Sequence, residues 1–526
     1  MTAGIIAAGN AATTEAGADI LRGGGNAVDA AVAAAFASFV AEPTLVAPGG
    51  GGFALFYEQA RGDARLYDFF CDFPGRGGMP AQLDFFPISI NYGPTHQIFH
   101  IGRGSVAVPG MVAGLCKLHE DGGRLPLAVV LAPAVALARR GVALGEFGSY
   151  VGSLLHPIFS NEPDLAGLFG APGHFLDDNH IYRNPDLANT FEALGRSGPD
   201  LFYKGEIAQI LLADQQRHGG LISAADLAAY QVHVRRPLRR RYRRCEFLTN
   251  PPPSRGGALI AFALALLADY EIGQLTHGNA RHLGLLAEVM RQTNLARPAF
   301  ESSGDLDIFL APDHIAQHAH DLACRLHRPA RPYPVDPPPD VYPNDTTHIS
   351  VSDAAGVMVS LTTTAGEGAG FILPGTGLLL NNILGEADLH PLGFHRGQPG
   401  QRIGSMMAPS LILRDGRPVM AVGSGGANRI RTAILQVILN HLDFGMPLDQ
   451  AVDAARVHFE EGVLQIEGGA KPAAVDWLRR WGYDIVTWPH KHMFFGGAHA
   501  VGFDEAGALC GAGDPRRNGA VVYVHS

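Results

Sequence analysis

The sequence predicts an α/β protein in which helices and strands alternate through both halves of the chain. Apolar residues recur at helical spacing, as at Ile430, Ile434 and Val437, whereas other segments alternate apolar and polar residues as strands do. The 526 residues are 47% hydrophobic and 17% charged and include 66 glycines, which is typical of a compact, loop-rich enzyme. Because strands and helices occur in both halves, we expect one intertwined α/β unit.

The first half carries most of the helical signals. Its predicted elements are helices near Ala12–Arg22 and over 26–41, a strand at Gly52–Glu58, and helices near Met111–His119 and Pro126–Arg140. The glycines at 49–52 indicate a tight turn and not a nucleotide-binding loop, because no ribose-binding acid follows at the right distance in a clear βαβ context. No cofactor is expected.

The second half begins as a strand behind a proline-rich connector. Seven prolines lie between Pro329 and Pro343, and proline neither continues a helix nor donates within a central strand. Ile349 and Val351 then mark a strand in which apolar and polar residues alternate. The same alternation marks a second strand from Val357. Farther on, Ser410–Leu413 and Val419–Val422 form a predicted hairpin, and residues 430–442 a helix.

Thr346 stands at the junction of connector and strand, where it resembles a self-cleavage site. Cleavage between Asp345 and Thr346 would give fragments 1–345 and 346–526. The new α-amino group of Thr346, with an ordinary pKa of about 7.7–8.0, would accept the proton of its own hydroxyl. The junction therefore predicts a threonine nucleophile that needs no metal.

Charge and cysteine content exclude several classes of protein. A formal charge of −10 disfavours nucleic-acid binding, and the seven arginines within 235–244 are interpreted as a charged strand edge, with an anion or polymer site as the alternative. Five widely spaced cysteines form no disulfide framework or metal motif. The apolar stretch from Asn26 to Glu42 includes Asp29, so we expect a buried helix and no membrane span. The start of the chain shows no export signal, so we expect a cytoplasmic location.

Several short motifs, taken in order, resemble the γ-glutamyltranspeptidase family of N-terminal nucleophile hydrolases. The resemblance runs nearly end to end. Its motifs are residues 24–31 (GGNAVDAA), 48–53 (PGGGGF), 202–205 (FYKG), 226–230 (DLAAY), 251–254 (PPPS), 346–348 (TTH), 423–426 (GSGG) and 513–516 (GDPR).

The resemblance implies a four-layer αββα sandwich formed jointly by both fragments, with Thr346 at the end of a central strand. Thr364 holds the place of a second threonine that steadies the nucleophile, although an ordinary strand threonine is an equal alternative. Gly426 and Ala427 hold the paired-glycine positions whose amides stabilise an oxyanion. Because alanine resists a positive φ, Ala427 departs from the pattern.

The acyl-binding positions depart further from the family. Phe70 replaces the arginine that grips the α-carboxylate, and Gly366 and Ile383 replace amino-group ligands, which leaves Glu386 as the remaining acid. Ser405 keeps one of two family hydroxyls, because Met406 replaces the other. Arg65 or Arg76 could replace the lost arginine, but the spacing in the sequence does not predict that either one does. On sequence alone, Phe70→Arg is expected to improve γ-glutamyl turnover.

These departures predict a self-processing threonine amidohydrolase or acyltransferase with weakened selection for free α-amino and α-carboxylate groups. Its substrate would be a small-molecule amide or a peptide. The alternatives are an amidase or acylase acting on oxamate-like, glutaryl or peptidyl amides, and a binding scaffold that does not process. The short interval from Glu386 to Ser405 predicts a trimmed covering loop and an open cleft. The fragments are expected to stay associated, and a homodimer of such heterodimers remains open.

A histidine pair and a single histidine are candidates for a functional role. His314 and His318 have the spacing of a helical metal pair, but no glutamate intervenes as in zinc proteases, so a packed or solvated helix is preferred. His348 should face the same side of its strand as Thr346, where a structural hydrogen bond is expected.

Overall fold

The computed structural model describes residues 1–91, 96–170, 179–327 and 346–525. The proline-rich connector and Asp345 lie outside the described residues. In chain order, the strands are β1 Gly4–Ala8, β2 Gly51–Glu58, β3 Asp63–Phe69, β4 Phe86–Asn91, β5 His96–Ile101, β6 Val142–Ala143, β7 Ile181–Tyr182, β8 His233–Arg235, β9 Leu238–Tyr242, β10 Cys245–Thr249, β11 Thr347–Asp353, β12 Val357–Thr364, β13 Ile372–Leu373, β14 Leu378–Leu379, β15 Ser410–Arg414, β16 Arg417–Gly425, β17 Val457–Glu460, β18 Val463–Ile466, β19 Asp484–Thr487, β20 Gly497–Phe503, β21 Leu509–Ala512 and β22 Ala520–Val524.

The helices, numbered in the same way, are α1 Ala11–Arg22, α2 Ala27–Ala41, α3 Met111–Gly122, α4 Leu127–Arg140, α5 Gly145–Leu154, α6 His156–Phe159, α7 Pro163–Phe169, α8 Pro185–Ser197, α9 Asp200–Tyr203, α10 Glu206–His218, α11 Ala224–Ala229, α12 Gly256–Leu266, α13 Ala280–Ser303, α14 Leu306–Phe309, α15 Pro312–Leu326, α16 Arg429–Leu442, α17 Leu448–Asp453 and α18 Pro472–Trp481. Every predicted helix and strand is present, with bounds shifted by at most three residues. Within the described ranges, no helix combines the length and apolar character needed to cross a bilayer.

Two large sheets pack face to face at the centre of the molecule. The first has the strand order β22-β1-β11-β12-β2-β3-β8, and the second has β21-β20-β16-β15-β10-β9. Strand β11 packs on β16 and β20, while α1, α2 and α3 cover the outer face of the first sheet. Helices α12, α16 and α17 cover the outer face of the second. The predicted four-layer αββα sandwich is confirmed.

Strands from both sides of the predicted cleavage point share each sheet. In the first sheet, β11 pairs with β1, and β12 pairs with β2, all antiparallel. In the second, β15 pairs with β10. Because each of the two large sheets takes strands from both sides of this point, the described residues before and after it form one intertwined unit. Cleaved fragments would therefore remain joined through the strand ladders.

Helix α2 fills the space under the nucleophile strand. Asn26 caps the helix and pairs reciprocally with Asp29 in a capping box, and all fifteen helical residues are buried. Its many alanines allow close approach to β11 and β12. Glu42, the C-terminal cap residue of this helix, lies beside the start of β11.

The arginine-rich run at 235–244 contributes an edge strand to each of the two large sheets, as the interpretation of a charged strand edge predicts. Strand β8 ends the first sheet, and β9 ends the second. Arg235 pairs with Asp68 at 2.8 Å, and Arg239 pairs with Glu246 at 2.7 Å. Charged side chains on edge strands oppose pairing with another chain.

Candidate active site

Thr346 immediately precedes β11, an interior strand of the first sheet that lies next to the central strand β12. Every residue of β11 is buried, and Thr346 itself is 5% exposed. The register pairs Thr347 with Thr363, so Thr364 lies beside Thr346 on the neighbouring strand. The Thr364 Oγ1 accepts a hydrogen bond of 3.0 Å from the amide of Gly366. Thr364 is therefore adjacent to Thr346, as the predicted supporting role requires.

The side chain after the nucleophile is anchored by a carboxyl group from the first half of the chain. The Thr347 hydroxyl donates to Glu42 Oε2 at 2.5 Å, and the Thr13 hydroxyl donates to Glu42 Oε1 at 2.6 Å. Burial raises the pKa of Glu42 above its ordinary value, although both hydroxyls and Arg517 oppose the shift. Glu42 thus fixes the start of β11 from the helical side.

The His348 side chain points to the opposite side of β11 from that of Thr347, into the space between the sheets. Its Nδ1 lies 2.8 Å from Thr362 Oγ1, and its Nε2 lies 2.9 Å from Ser350 Oγ. Burial, together with nearby His499, lowers the pKa of His348 well below its ordinary value, so the ring is neutral. These contacts agree with the predicted structural role.

The glycine-rich turn after β16 passes directly over Thr346. A Cβ atom on Gly425 would lie 2.1 Å from the Thr346 carbonyl oxygen, so only glycine permits this approach. The turn continues through Gly426 at φ +119° and Ala427 at φ +47° into α16. Ala427 therefore adopts the left-handed conformation that the sequence analysis expected it to resist. Amides at a helix start favour developing negative charge.

Arg517 contacts Thr346, the predicted nucleophile, and was not among the residues predicted from the sequence. Its Nη1 donates to the Thr346 carbonyl at 3.3 Å, and the residue is 2% exposed. Arg517 directly follows the motif 513–516, which was the available signal. That motif is itself held by ion pairs of Asp514 with Arg456 at 2.6 Å and with Arg516 at 3.2 Å. Although burial opposes ionisation, these arginines lower the pKa of Asp514 to about 2.

Phe70 is fully buried and lies against Phe53, with ring centroids 5.7 Å apart. Its carbonyl accepts hydrogen bonds from the Tyr230 hydroxyl at 2.8 Å and from Arg402. Arg402 also pairs with Asp72 at 2.9 Å. An arginine at position 70 would therefore enter an apolar environment beside an existing guanidinium, which argues against the simple gain expected from Phe70→Arg.

The two arginines proposed as replacements are engaged elsewhere. Arg65 pairs with Asp63 at 2.5 Å on β3, and Arg76 lies 3.9 Å from Asp226. Neither ion pair includes an acyl-site residue.

Gly366 and Glu386 are in close contact. Gly366 has φ +64°, and a Cβ there would lie 2.1 Å from Glu386 Oε1 and 2.2 Å from Asn382 Oδ1. An asparagine at position 366 would therefore displace the buried Glu386 carboxyl group. The absence of a side chain at 366 and the position of Glu386 are structurally linked.

The remaining predicted acyl-site residues line an apolar region. Phe70, Ile383 and Met406 belong to one buried hydrophobic cluster, which also includes residues of the second sheet. The Ser405 carbonyl accepts from the Arg255 amide at 2.7 Å and from the Ser254 hydroxyl at 2.9 Å. The motif at 251–254 thus supports the Ser405 segment. Gly366 links two of the predicted site segments, because its amide donates to Thr364 Oγ1 and its Cβ position lies beside Glu386.

The short segment after Glu386 packs onto the first half of the chain. Phe394 lies 4.5 Å from the His100 ring and 5.2 Å from the Phe85 ring. The His395 Nε2 is 2.9 Å from the Gly104 carbonyl oxygen.

The other histidines singled out in the sequence make ordinary helix contacts. His314 Nδ1 lies 2.8 Å from the Phe309 carbonyl oxygen, and His318 Nδ1 lies 2.9 Å from Gln292 Oε1. In the described part of the chain, no three His, Cys, Asp or Glu side chains are grouped as metal ligands would be.

Comparison with known proteins agrees with this architecture. The gamma-glutamyltranspeptidase family model matches residues 13–524. The acylase ACY 1 proenzyme of Pseudomonas sp. (strain SE83) is 34% identical over 541 residues, covering 99% of this chain and 93% of that protein. The glutathione hydrolase proenzyme of Escherichia coli (strain K12) is 31% identical, covering 98% and 90%. The crystal structure of cephalosporin acylase from Bacillus halodurans superimposes with a TM-score of 0.85 at 23% identity, covering 100% and 96%, which supports the fold.

The four-layer sandwich is the fold of the N-terminal nucleophile hydrolases, and Thr346 lies immediately before one of its interior strands. The chain belongs to the gamma-glutamyltranspeptidase family. It is an amidohydrolase or acyltransferase of the kind that matures by self-processing.

Proposed function

We propose that Thr346 is the nucleophile, that the chain cleaves itself between Asp345 and Thr346, and that the processed enzyme hydrolyses small amides whose acyl group lacks an α-amino group. The observation that carries this proposal is the position of Thr346 between the sheets, beside Thr364 and beneath the Gly425–Ala427 turn. The choice of acyl group rests on Phe70, Gly366 and Ile383, which offer no charged or hydrogen-bonding side chain to an α-carboxylate or α-amino group.

The proposed reaction uses groups from both halves of the chain. The Thr346 Oγ attacks the amide carbonyl carbon while the Thr346 α-amine takes the hydroxyl proton. The amides of Gly426 and Ala427 stabilise the oxyanion. The α-amine then returns the proton to the leaving amine, and an ester between Thr346 and the acyl group remains. Water, or an acceptor amine in transfer, releases the acyl group.

Glu42 and Arg517 act as positioning residues in this scheme. Glu42 holds Thr347, and Arg517 holds the Thr346 carbonyl. Both ends of the first peptide unit of the small fragment are therefore fixed before the acyl donor enters. Such pre-organisation lowers the barrier because the nucleophile does not have to be ordered during the reaction.

Amino-terminal sequencing of the purified protein tests the nucleophile directly. Wild type should yield fragments 1–345 and 346–526, with the smaller one beginning Thr-Thr-His. Thr346→Ala should stay whole and inactive, whereas Thr346→Ser should process and retain some turnover, because a hydroxyl survives. Thr487→Ala is the matched control, since it removes a hydroxyl from an exposed threonine of β19, outside the proposed site. A small fragment beginning at another residue would refute the assignment, and an intact, inactive wild type would favour the binding scaffold.

We also propose a cytoplasmic location and a homodimer of heterodimers. All five cysteines are free thiols, as suits a reducing compartment. Cell fractionation and light scattering of the purified protein test these two proposals. Activity confined to an exported fraction, or the mass of a single heterodimer, would contradict them.

A further inference from the structure

A cavity of about 310 Å³ lies between the start of α13, the C-terminal half of α16 and the segment 454–471. Helix α16 covers the outer face of the second sheet, whereas Thr346 immediately precedes a strand of the first sheet. The described residues that line the cavity include none of the predicted catalytic or acyl-site residues. A concave space of this size suits a small molecule.

The inner wall of this cavity is apolar. Leu283 and Leu286 of α13, Leu439 of α16 and Ile466 of β18 line it, and each is at most 5% exposed. Lys471 also lines the cavity and is exposed, so it marks the side that opens to solvent. A buried apolar interior with a few polar groups is the usual composition of a small-molecule site.

The hydrogen bonds of two histidines in the lining define where their protons lie. Asn440 Nδ2 donates to the Ala451 carbonyl at 3.1 Å, so Asn440 Oδ1 is the acceptor that faces His277 Nε2 at 3.0 Å. The Gly278 amide donates to His282 Nδ1 at 3.1 Å. Burial, together with nearby His277, lowers the pKa of His282 to about 3. The His282 ring is therefore neutral and carries its proton on Nε2.

Two N–H donors of the lining side chains are left over. His282 is 3% exposed, and its buried Nε2 has no hydrogen-bond partner among the described residues. The buried Nε of Arg456 likewise has none there, although Arg456 Nη2 donates to the Val452 carbonyl at 2.9 Å and Nη1 to the Phe495 carbonyl at 3.2 Å. Buried donors without a partner are uncommon in folded proteins and cost stability.

The buried side-chain acceptors of the lining are, in contrast, already engaged. Gln436 Oε1 accepts from the Val457 amide at 2.9 Å. The Glu467 carboxylate accepts from Arg516 Nε at 2.7 Å and from the Arg456 amide at 3.1 Å. Because donors are left over and these acceptors are not, the cavity suits a ligand that brings hydrogen-bond acceptors.

We propose that this cavity is a second binding site, which takes a small carboxylic acid with an apolar body. The carboxylate would accept a charge-assisted hydrogen bond from His282 Nε2, with Arg456 as a second donor in the lining. The apolar body would lie against Leu286 and Leu439, and the exposed Lys471 would favour the approach of an anion. The proposed site is independent of the proposed function, because no group of the proposed reaction lines it.

Calorimetry of the purified wild-type protein with hexanoate, 1-hexanol and acetate tests this site. Hexanoate should bind. Because 1-hexanol lacks the negative charge and acetate lacks the apolar body, each should bind at least about tenfold more weakly. His282→Leu removes the donor but keeps an apolar side chain, so it should weaken hexanoate binding by about ten- to a hundredfold.

Two further variants keep the test decisive if His282→Leu does not fold. Ala455→Phe leaves both donors in place but fills the cavity, so it should abolish hexanoate binding. Lys471→Met should weaken binding by about two- to fivefold. Lys204→Met is the matched control, since it removes an exposed lysine outside the cavity lining and should change nothing.

Three results would overturn the proposal. Hexanoate binding that survives Ala455→Phe would show that the acid binds elsewhere on the protein. Equal affinities for hexanoate and 1-hexanol would refute recognition of the carboxylate. If wild type does not bind hexanoate, the cavity takes only water.

Discussion

The nucleophile end and the acyl end of this site are built in opposite ways. Around Thr346 the contacts are polar and join distant parts of the chain, as the Glu42 contact with Thr347 and the Arg517 contact with Thr346 do. Around Phe70 the surroundings are apolar, and the nearby Arg402 is bound by carboxylates and carbonyl groups. The difference agrees with our proposal that Thr346 attacks amides whose acyl group lacks an α-amino group.

The largest expected effect comes from making the acyl end polar. Phe70→Arg would bury a guanidinium against Phe53, close to the Arg402 guanidinium. An unpaired buried charge costs about 3 kcal/mol or more, so the urea midpoint of unfolding should fall sharply. Phe70→Leu, which changes size without adding charge, is the control and should cost less. Equal midpoints for Phe70→Arg and wild type would show that position 70 opens to solvent and that the two ends are more alike than we infer.

Acyl selectivity provides the next test of the comparison. Because Gly366 and Ile383 supply no polar side chain to an amino group, glutathione and simple γ-glutamyl amides should saturate the enzyme poorly. An otherwise identical donor without the α-amino group should be used about ten- to a hundredfold better in relative kcat/KM. Steady-state kinetics with γ-glutamyl and glutaryl p-nitroanilides makes the measurement. Efficient use of glutathione with rejection of the des-amino donor would show that a grip for the amino group survives.

The sequence predicted the nucleophile end better than the acyl end, and the reason is the separation of the contacting residues. Strand alternation places Thr346 at the head of a strand and His348 on the inner face. The contacts of Glu42 with Thr347 and of Arg402 with Phe70 join residues 305 and 332 positions apart, and no local pattern predicts them. Arg255 directly follows the motif at 251–254, yet the hydrogen bond from its amide to the Ser405 carbonyl depends on tertiary packing.

The buried Glu42 predicts a pH dependence at the nucleophile end. Because its folded pKa is raised above the unfolded value of about 4.3, the folded state holds this proton more tightly. The resulting stabilisation is complete below about pH 4 and is lost as the pH rises through the folded pKa. Glu42→Gln removes this titration but keeps a polar side chain of the same size.

Urea unfolding between pH 4 and pH 8 tests the Glu42 prediction. The wild-type midpoint should decline relative to that of Glu42→Gln as the pH rises. Glu146→Gln makes the same chemical change on the exposed surface of α5 and controls for the lost charge. Parallel curves for wild type and Glu42→Gln would mean that Glu42 is ionised in the folded protein, and the anchor of Thr347 would then be a carboxylate.

The smallest expected effect concerns strain in the turn above Thr346. Ala427 has φ +47°, a conformation that costs an L-residue about 1–2 kcal/mol and costs glycine little. Ala427→Gly should relieve that strain, but glycine also gives the unfolded chain more freedom, worth about 0.5–1 kcal/mol. A net gain of about 0.5 kcal/mol in the free energy of unfolding is expected.

Ala421→Gly is the matched control for this change. Ala421 is buried in the regular part of β16, the strand that leads into the turn. Relief of strain is absent there, so this substitution should destabilise the protein by about 1 kcal/mol. Opposite signs for the two variants in urea unfolding would locate the strain at the oxyanion turn. If both variants destabilise equally, the positive φ of Ala427 carries no measurable cost, and the nucleophile end owes its geometry to its polar contacts alone. If Ala427→Gly is more stable but slower in turnover, the alanine serves to hold the turn amides above Thr346 at the expense of stability.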